Sequence, residues 1–156
     1  MTHVTLAVTG SISAYKAADI TSQLGKLGYS VSVLMTEAAS HFITPLTLQV
    51  LSKNPVSLDL MSEPRPDKVN HIEIGKETNL FLVAPATANT IAKLANGLAD
   101  NMVTATALAL PSHVKKAIAP AMNTKMYENP LTQHNLERLK KIGWGIIEPR
   151  KAVLAC

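Results

Sequence analysis

The chain has 156 residues, which fits a single domain with a hydrophobic core that needs no disulfide. Apolar residues make up 47% of the chain and charged residues 17%, which excludes a disordered protein, and the single cysteine excludes an internal disulfide framework and a cysteine-rich zinc site. The net charge is +4, but aromatic residues are only 4%, so no nucleic-acid partner is expected.

The sequence carries no membrane-spanning signal, because its longest stretch of low charge, residues 102–113, is too short to cross a bilayer. The first residues, Met1 to His3, lack the basic start of a signal peptide. We therefore expect a cytoplasmic protein with a reduced thiol and no membrane partner.

Strand and helix signals alternate along the chain. Short apolar runs predict strands at residues 4–9, 30–35, 80–84, 114–119 and 146–147. Helical spacing of apolar residues predicts helices at residues 14–24, 45–51, 90–96, 100–110 and 130–142. Thr36 is expected to cap a further short helix, Pro85 to end the third strand, and Gly28 and Gly143 to end helices.

This alternation predicts one α/β domain, a single doubly wound, Rossmann-like (flavodoxin-like) parallel sheet with helices on both faces. The helix at residues 100–110 is apolar on nearly every side, which predicts burial between layers or between subunits. Ligands of such sheets bind beyond the carboxyl ends of the strands. The loops at residues 10–13, 36–37, 85–90 and 120–123 are therefore the candidate site.

The first and third of these loops each allow two interpretations. Residues 10–13 match neither the dinucleotide-binding glycine motif nor a P-loop, so they form either an anion site at a helix start or a plain turn capped by serine. Thr87, Asn89 and Thr90 place three polar side chains within four positions. They suit the polar edge of a flat ligand, although a helix cap would need one of them.

Four other side chains have roles that the local sequence leaves open. Asn123 suits either hydrogen bonding to a carboxylate or an Asx turn, and Met122 and Met126 have the spacing of core residues. A lone histidine such as His71 is more often a surface residue than a catalyst. The other four histidines share no ligand spacing with it, so no metal site is expected.

Several blocks, in order over essentially the whole chain, carry a family resemblance. They are Gly10-Ser11-Ile12, Asn70-His71-Ile72, residues 85–101 (PATANTIAKLANGLADN), residues 120–126 (PAMNTKM) and the late Cys156. Together they resemble the homo-oligomeric flavin-containing cysteine decarboxylases, above all the members that act on 4'-phosphopantothenoylcysteine.

The resemblance implies a noncovalent FMN cofactor. The residues it assigns to FMN are Gly10, Ser11, Ile12, Thr36, Thr87, Ala88, Asn89, Thr90 and Ala121. It also implies a trimer, or a dodecamer built from trimers, with each flavin at a subunit boundary.

The implied reaction converts 4'-phosphopantothenoylcysteine into 4'-phosphopantetheine, a step of coenzyme A biosynthesis. A cysteine carboxylate joined through an amide has no electron sink for loss of CO2. Removal of a hydride from the thiol-bearing carbon gives a thioaldehyde, which accepts the electrons as CO2 leaves. The resulting ene-thiol is then protonated and takes the hydride back, so the cycle is redox-neutral.

The family pattern also implies catalytic roles. His71 is the acid–base residue acting across the subunit boundary, Asn123 anchors the substrate carboxylate, and Cys156 donates a proton from a lid. Met126 and Ala155 contact the substrate. We expect residues 1–148 to form the flavoprotein domain and residues 149–156 to begin an apparently truncated lid.

Two departures from the family pattern are visible. Tyr127 stands where the family usually has Trp, and the chain stops at Cys156, whereas the family's lid continues.

Four alternatives remain at this point. A peptidyl-cysteine decarboxylase would share the flavin and the histidine, but it needs no lid cysteine. A noncatalytic FMN-binding regulatory relative would be favoured by loss of His71, which is present. A prenyl-transferring flavin protein would lack the PAMN block followed by a lid cysteine, and a general nucleotide-binding module would bind no flavin.

Overall fold

The computed structural model describes residues 2–62 and 69–149. The strands of its sheet are β1 His3–Val8, β2 Ser30–Met35, β3 Val56–Ser57, β4 Leu80–Ala86, β5 Lys115–Pro120 and β6 Gly145–Ile146. The helices are α1 Lys16–Lys26, α2 Pro45–Ser52, α3 Asn70–Glu77, α4 Ala88–Asn96, α5 Met102–Leu108, α6 Thr124–Glu128 and α7 Pro130–Lys141. Single 3₁₀ turns occupy Ile12–Tyr15 and Ala38–His41.

All neighbouring strands pair in parallel, in the spatial order β3-β2-β1-β4-β5-β6. The chain builds the sheet outward from β1 in one direction and then returns to add β4 on the other side. This reversal opens a crevice between the loops that follow β1 and β4. The predicted doubly wound α/β fold is therefore confirmed.

Each face of the sheet has its own apolar core, as the alternation of side chains along β4 shows. Phe81 and Val83 face the cluster formed with α4, α5 and α7, where the Phe81 and Trp144 rings meet edge to face at 6.3 Å. Leu82 and Ala84 face the opposite cluster, to which α1 and α2 contribute.

Most predicted boundaries agree with the structure because their capping residues act as expected. Thr44 and Asn129 accept backbone N–H groups at the starts of α2 and α7. Gly28 and Gly143 have φ angles of 91° and 103°, which glycine adopts without strain. Thr36 accepts from the Ala39 N–H at 3.2 Å, although the N-cap position of the 3₁₀ turn Ala38–His41 is Glu37, one residue later than predicted.

The predicted end of the third strand at Pro85 is wrong. Strand β4 continues to Ala86, and its register against β5 shifts between Val83 and Ala86. Such an irregularity tolerates a proline without an N–H group. The Pro85 carbonyl accepts hydrogen bonds from the N–H and hydroxyl of Thr9, which joins this part of β4 to the end of β1.

The sequence patterns did not indicate β3, α3 or α6, which have two, eight and five residues. Elements of this length carry little periodicity. The helix expected at residues 100–110 is shorter, Met102–Leu108, and its first five residues are buried as predicted. No helix within the described ranges is long and apolar enough to cross a membrane.

Candidate functional site

The loops after β1, β2 and β4 enclose a cavity of about 330 Å³ at the carboxyl edge of the sheet. Its lining residues are Gly10, Thr36, Glu37, Ala38, Thr87, Asn89, Thr90, Lys93, Asp100 and Asn101. Five of the predicted cofactor residues thus lie together. We call this space the polar cavity, since hydroxyl, amide and charged groups dominate its wall.

Gly10 is required by a close contact between two loops. A Cβ atom at Gly10 would overlap the Ala38 side chain and lie 3.0 Å from the Ala38 carbonyl carbon. The glycine therefore lets the loop after β1 pack against the loop after β2.

A chain of hydrogen bonds holds the loop after β4. The Thr9 hydroxyl donates to the Pro85 carbonyl at 2.6 Å and accepts from the Thr87 N–H at 3.0 Å. The Thr87 hydroxyl in turn accepts from the Thr90 N–H at 3.1 Å. Thr87 is therefore the N-cap of α4, and the capping interpretation is confirmed for this residue.

The start of α4 keeps two donors for a ligand. Within the described residues, the backbone N–H groups of Ala88 and Asn89 donate no hydrogen bond, and the exposed Asn89 side chain makes none. Free N–H groups at a helix N-terminus, with the positive end of the helix dipole, favour a bound phosphate. The polar cavity therefore fits a phosphate-bearing ligand.

A second cavity, of about 320 Å³, lies at the carboxyl ends of β4, β5 and β6. Its wall contains small apolar residues from two strand ends, Ala84, Pro85, Ala119, Pro120 and Ala121, together with Ser13, Lys16, Ile20, Ile147, Glu148 and Pro149. Such side chains let a flat ring approach the backbone closely. We call this space the apolar cavity.

The predicted cofactor residues are divided between these places. Ala121 lines the apolar cavity and not the polar one. Ser11, Ile12 and Ala88 line neither. The Ser11 hydroxyl accepts from the Ser13 N–H at 3.2 Å, so this serine caps the turn as the sequence predicts.

Asn123 caps α6 and still has donors to offer. Its Oδ1 accepts from the Met126 N–H at 2.9 Å, which confirms the local-turn interpretation. This bond fixes the amide plane, and the exposed side-chain NH₂ makes no other hydrogen bond within the described part of the chain. Two N–H donors held in one orientation suit a carboxylate.

The prediction of core packing is confirmed for Met122, which is buried. It is wrong for Met126, which is 46% exposed.

His71 lies outside both cavities. It is half-buried on α3 and lines a third cavity, of about 500 Å³, with Leu60, Met61, Ala99, Ala105, Leu108 and Ala109. Its Nδ1 atom is buried and has no hydrogen-bond partner in the described structure. One copy of the chain therefore does not place His71 at the crevice.

Tyr127 connects α6 to the segment after β6. Its hydroxyl donates to Glu148 Oε2 at 2.7 Å, and Glu148 lines the apolar cavity. Burial and the neighbouring Glu148 carboxylate raise the pKa of Tyr127. Pro149 is the last described residue at this end, so Ala155, Cys156 and the remainder of the predicted lid lie outside the described residues.

Sequence reasoning missed the charged residues of the polar cavity. Lys93 Nζ lies 3.0 and 2.9 Å from the two carboxylate oxygens of Asp100, and Glu37 completes the charged wall. The hydrogen bond from Lys93 lowers the pKa of Asp100. One sequence signal could have indicated Lys93 as a site residue. It follows Asn89 by four positions, which puts both side chains on one helix face. In the described ranges no three His, Cys, Asp or Glu side chains form a group that could hold a metal ion.

A comparison with known proteins identifies the family to which this chain belongs. A model of the Flavoprotein family matches residues 1–156, so the chain belongs to that family. The cofactor of this family is a flavin, which is consistent with a polar cavity and an apolar cavity at the carboxyl edge of the sheet. The resemblance to flavin-containing cysteine decarboxylases is confirmed.

Two relatives align with nearly the whole of this chain. The chain is 63% identical over 153 residues to a "Probable phosphopantothenoylcysteine decarboxylase" of Streptococcus mutans, covering 98% of this chain and 86% of that one. It is 46% identical to the "Coenzyme A biosynthesis bifunctional protein CoaBC" of Bacillus subtilis, covering 99% of this chain. The chain spans only 37% of the length of that bifunctional relative.

A solved structure shares the fold. It is described as "PPC decarboxylase mutant C175S complexed with pantothenoylaminoethenethiol" and superposes with a TM-score of 0.83 at 32% sequence identity. The match covers 96% of this chain and 82% of that one.

Proposed function

We propose that this chain catalyses the FMN-dependent decarboxylation of 4'-phosphopantothenoylcysteine to 4'-phosphopantetheine in coenzyme A biosynthesis, in the cytoplasm. The observation that carries the substrate assignment is the 63% identity to the Streptococcus mutans protein over 98% of this chain. The thioaldehyde and ene-thiol route is the chemistry that this substrate requires.

The crevice supports FMN as the flavin. The free N–H group of Asn89, which lines the polar cavity, would hold its phosphate, and the small residues around Ala121 would leave room for its ring. Bound there, FMN would supply reversible hydride transfer at the thiol-bearing carbon of the substrate. Protein side chains would carry out the remaining steps.

Asn123 would hold the substrate carboxylate until it leaves as CO2. Its oxygen is occupied by the cap of α6, so only its N–H donors face a ligand, and these match a carboxylate rather than an ammonium group. The exposed Met126 lies one turn away on the same helix and would contact the substrate chain. Ala155 and Cys156 would complete the site, with Cys156 as proton donor to the ene-thiol.

His71 would act as the acid–base residue in the crevice of a neighbouring copy, within a trimer or a dodecamer of trimers. Its buried, unpartnered Nδ1 lies beside a cavity whose rim is apolar and open. Leu108 and Met61 on that rim are 63% and 87% exposed. A second subunit would cover these side chains and bring its crevice to the imidazole.

The test is a visible spectrum of the purified protein, followed by addition of 4'-phosphopantothenoylcysteine and product analysis by mass. We expect a flavin spectrum and conversion to 4'-phosphopantetheine. His71→Asn should keep the flavin spectrum and lose turnover at least about 100-fold, in the range of lost general acid–base catalysis.

His134→Asn is the matched control, because this histidine is exposed on α7 and lines none of the three cavities. Its turnover should equal that of the unmodified protein. A protein that takes up no FMN, or a His71→Asn variant with full turnover, would contradict the proposed function.

A further inference from the structure

The polar cavity has a net acidic wall and one cation. Among its lining residues Glu37 and Asp100 carry carboxylates, and Lys93 is the only lysine or arginine. A phosphate dianion entering this cavity meets two like charges. The free N–H groups at the start of α4 are partial charges only, so the ammonium group of Lys93 is the one full positive charge among the described residues that line the cavity.

Lys93 is held in place by its partner. Its ammonium group bonds both oxygens of Asp100, at 2.9 and 3.0 Å, while the Lys93 side chain is 22% exposed and that of Asp100 is 61% exposed. An ion pair this open to water adds little to folding stability. Its effect is geometric, because it fixes a flexible side chain in one position.

The position of Lys93 relates it to the free donors of α4. Lys93 follows Asn89 by four residues and Thr90 by three, so it lies on the helix face that lines the cavity, one turn beyond the start of α4. An ammonium group has three N–H donors. Bonding to the two Asp100 oxygens uses at most two of them, so at least one donor remains for a ligand of this cavity-lining side chain.

We propose that Lys93, anchored by Asp100, recognises a phosphate monoester bound in the polar cavity and makes the site selective for phosphorylated ligands. The inference rests on the proposed function, which supplies two such groups, the phosphate of FMN and the 4'-phosphate of the substrate. The chemistry of recognition is the same for both.

The experiment compares Lys93→Gln with the unmodified full-length chain, using phosphorylated and unphosphorylated forms of each ligand. Affinities of the flavin-free protein for FMN and riboflavin are measured by fluorescence titration. The KM values of the FMN-saturated protein are measured for 4'-phosphopantothenoylcysteine and pantothenoylcysteine. Loss of one charge-assisted hydrogen bond corresponds to a change of about 10- to 100-fold.

Two outcomes support the inference and identify the source of the phosphate. A 10- to 100-fold loss of FMN affinity with riboflavin affinity unchanged assigns Lys93 to the flavin phosphate. A comparable rise in KM for the phosphorylated substrate alone assigns it to the substrate. Lys93→Arg keeps the positive charge and should retain at least part of the preference.

Two other outcomes overturn it. If the substitution weakens the binding of phosphorylated and unphosphorylated ligands equally, Lys93 supports the fold of the site. If no affinity or KM value changes, Lys93 has no role in recognition. Lys26→Gln removes one charge at the end of α1, at the opposite edge of the sheet, and should change nothing. An unmodified protein that neither binds FMN nor turns over the substrate refutes the proposed function instead.

Discussion

At the scale of single residues, Gly10 offers the sharpest test of how the site is packed. Gly10→Ala places a methyl group against Ala38, so we expect a loss of about 1–3 kcal/mol in the free energy of unfolding, the usual cost of overpacking. Chemical denaturation followed by the fluorescence of the buried Trp144 measures this change. Weaker flavin binding should accompany it, because the loop after β2 carries Thr36.

Gly25→Ala is the control for Gly10→Ala. Gly25 lies inside α1 with no atom within 4 Å of an added Cβ, so this change should stabilise the protein by about 0.5–1 kcal/mol. Removing the opposing methyl group in a Gly10→Ala, Ala38→Gly double variant should restore most of the lost stability. If Gly10→Ala is as stable as Gly25→Ala, the contact does not constrain the loops.

Single residues also show how far sequence reasoning reaches. In the sequence, Thr87 and Asn123 each allow a ligand role and a capping role. The structure confirms both caps, and capping by Asn123 uses its oxygen alone, which leaves its N–H donors for the proposed carboxylate. The sequence did not predict the pairing of Lys93 with Asp100. Asp100 lies beyond the end of α4, where helical spacing no longer indicates which residues are neighbours.

At the scale of elements, the hydrogen bond between Tyr127 and Glu148 joins α6 to the segment after β6. We expect Tyr127→Phe to lower the free energy of unfolding by about 0.5 kcal/mol, the low end for a hydrogen bond, because the pair is partly exposed. Urea denaturation of the two proteins at neutral pH measures the difference.

The dependence of stability on alkaline pH provides a second test of this hydrogen bond. The pKa of Tyr127 is raised in the folded protein, so above about pH 10 the unfolded chain loses this proton first. Stability contributed by the phenol is therefore lost as pH rises, and Tyr127→Phe should show a shallower alkaline decline. Identical declines in both proteins would show that Glu148 does not hold the phenol in its neutral form.

The elements that sequence patterns predicted best are those with long apolar runs. Strands β1, β2 and β5 and helix α7 agree with expectation to within one or two residues. Helix α3, which carries His71, was missed because eight residues with two apolar positions in the first turns resemble a polar loop. The end of β4 was placed too early because hydrogen bonds from Thr9, distant in sequence, outweigh the local effect of Pro85.

At the scale of the whole molecule, the proposed role of His71 would make assembly a condition of activity. Leu108 is 63% exposed beside His71, so Leu108→Glu should prevent the subunit contact and reduce the mass found by analytical ultracentrifugation to that of a monomer. Turnover should fall with it, while circular dichroism stays that of a folded chain.

Leu27→Glu is the matched substitution. Leu27 is 71% exposed at the end of α1, as Leu108 is at the end of α5, and it lies at the amino edge of the sheet. This variant should keep both assembly and turnover. A fully active monomer of Leu108→Glu would remove the reason for placing His71 in a neighbouring crevice.

The spatial order of the strands also has a consequence for folding kinetics. Strand β1 pairs with β4, and Thr9 contacts Pro85 across 76 positions of sequence, so the polar cavity forms only after a long chain loop has closed. The first forty residues contribute part of the cavity wall, but the cavity is complete only when the middle of the chain has folded against them. Flavin uptake by a refolding sample would therefore report completion of the central strand pairing rather than early collapse.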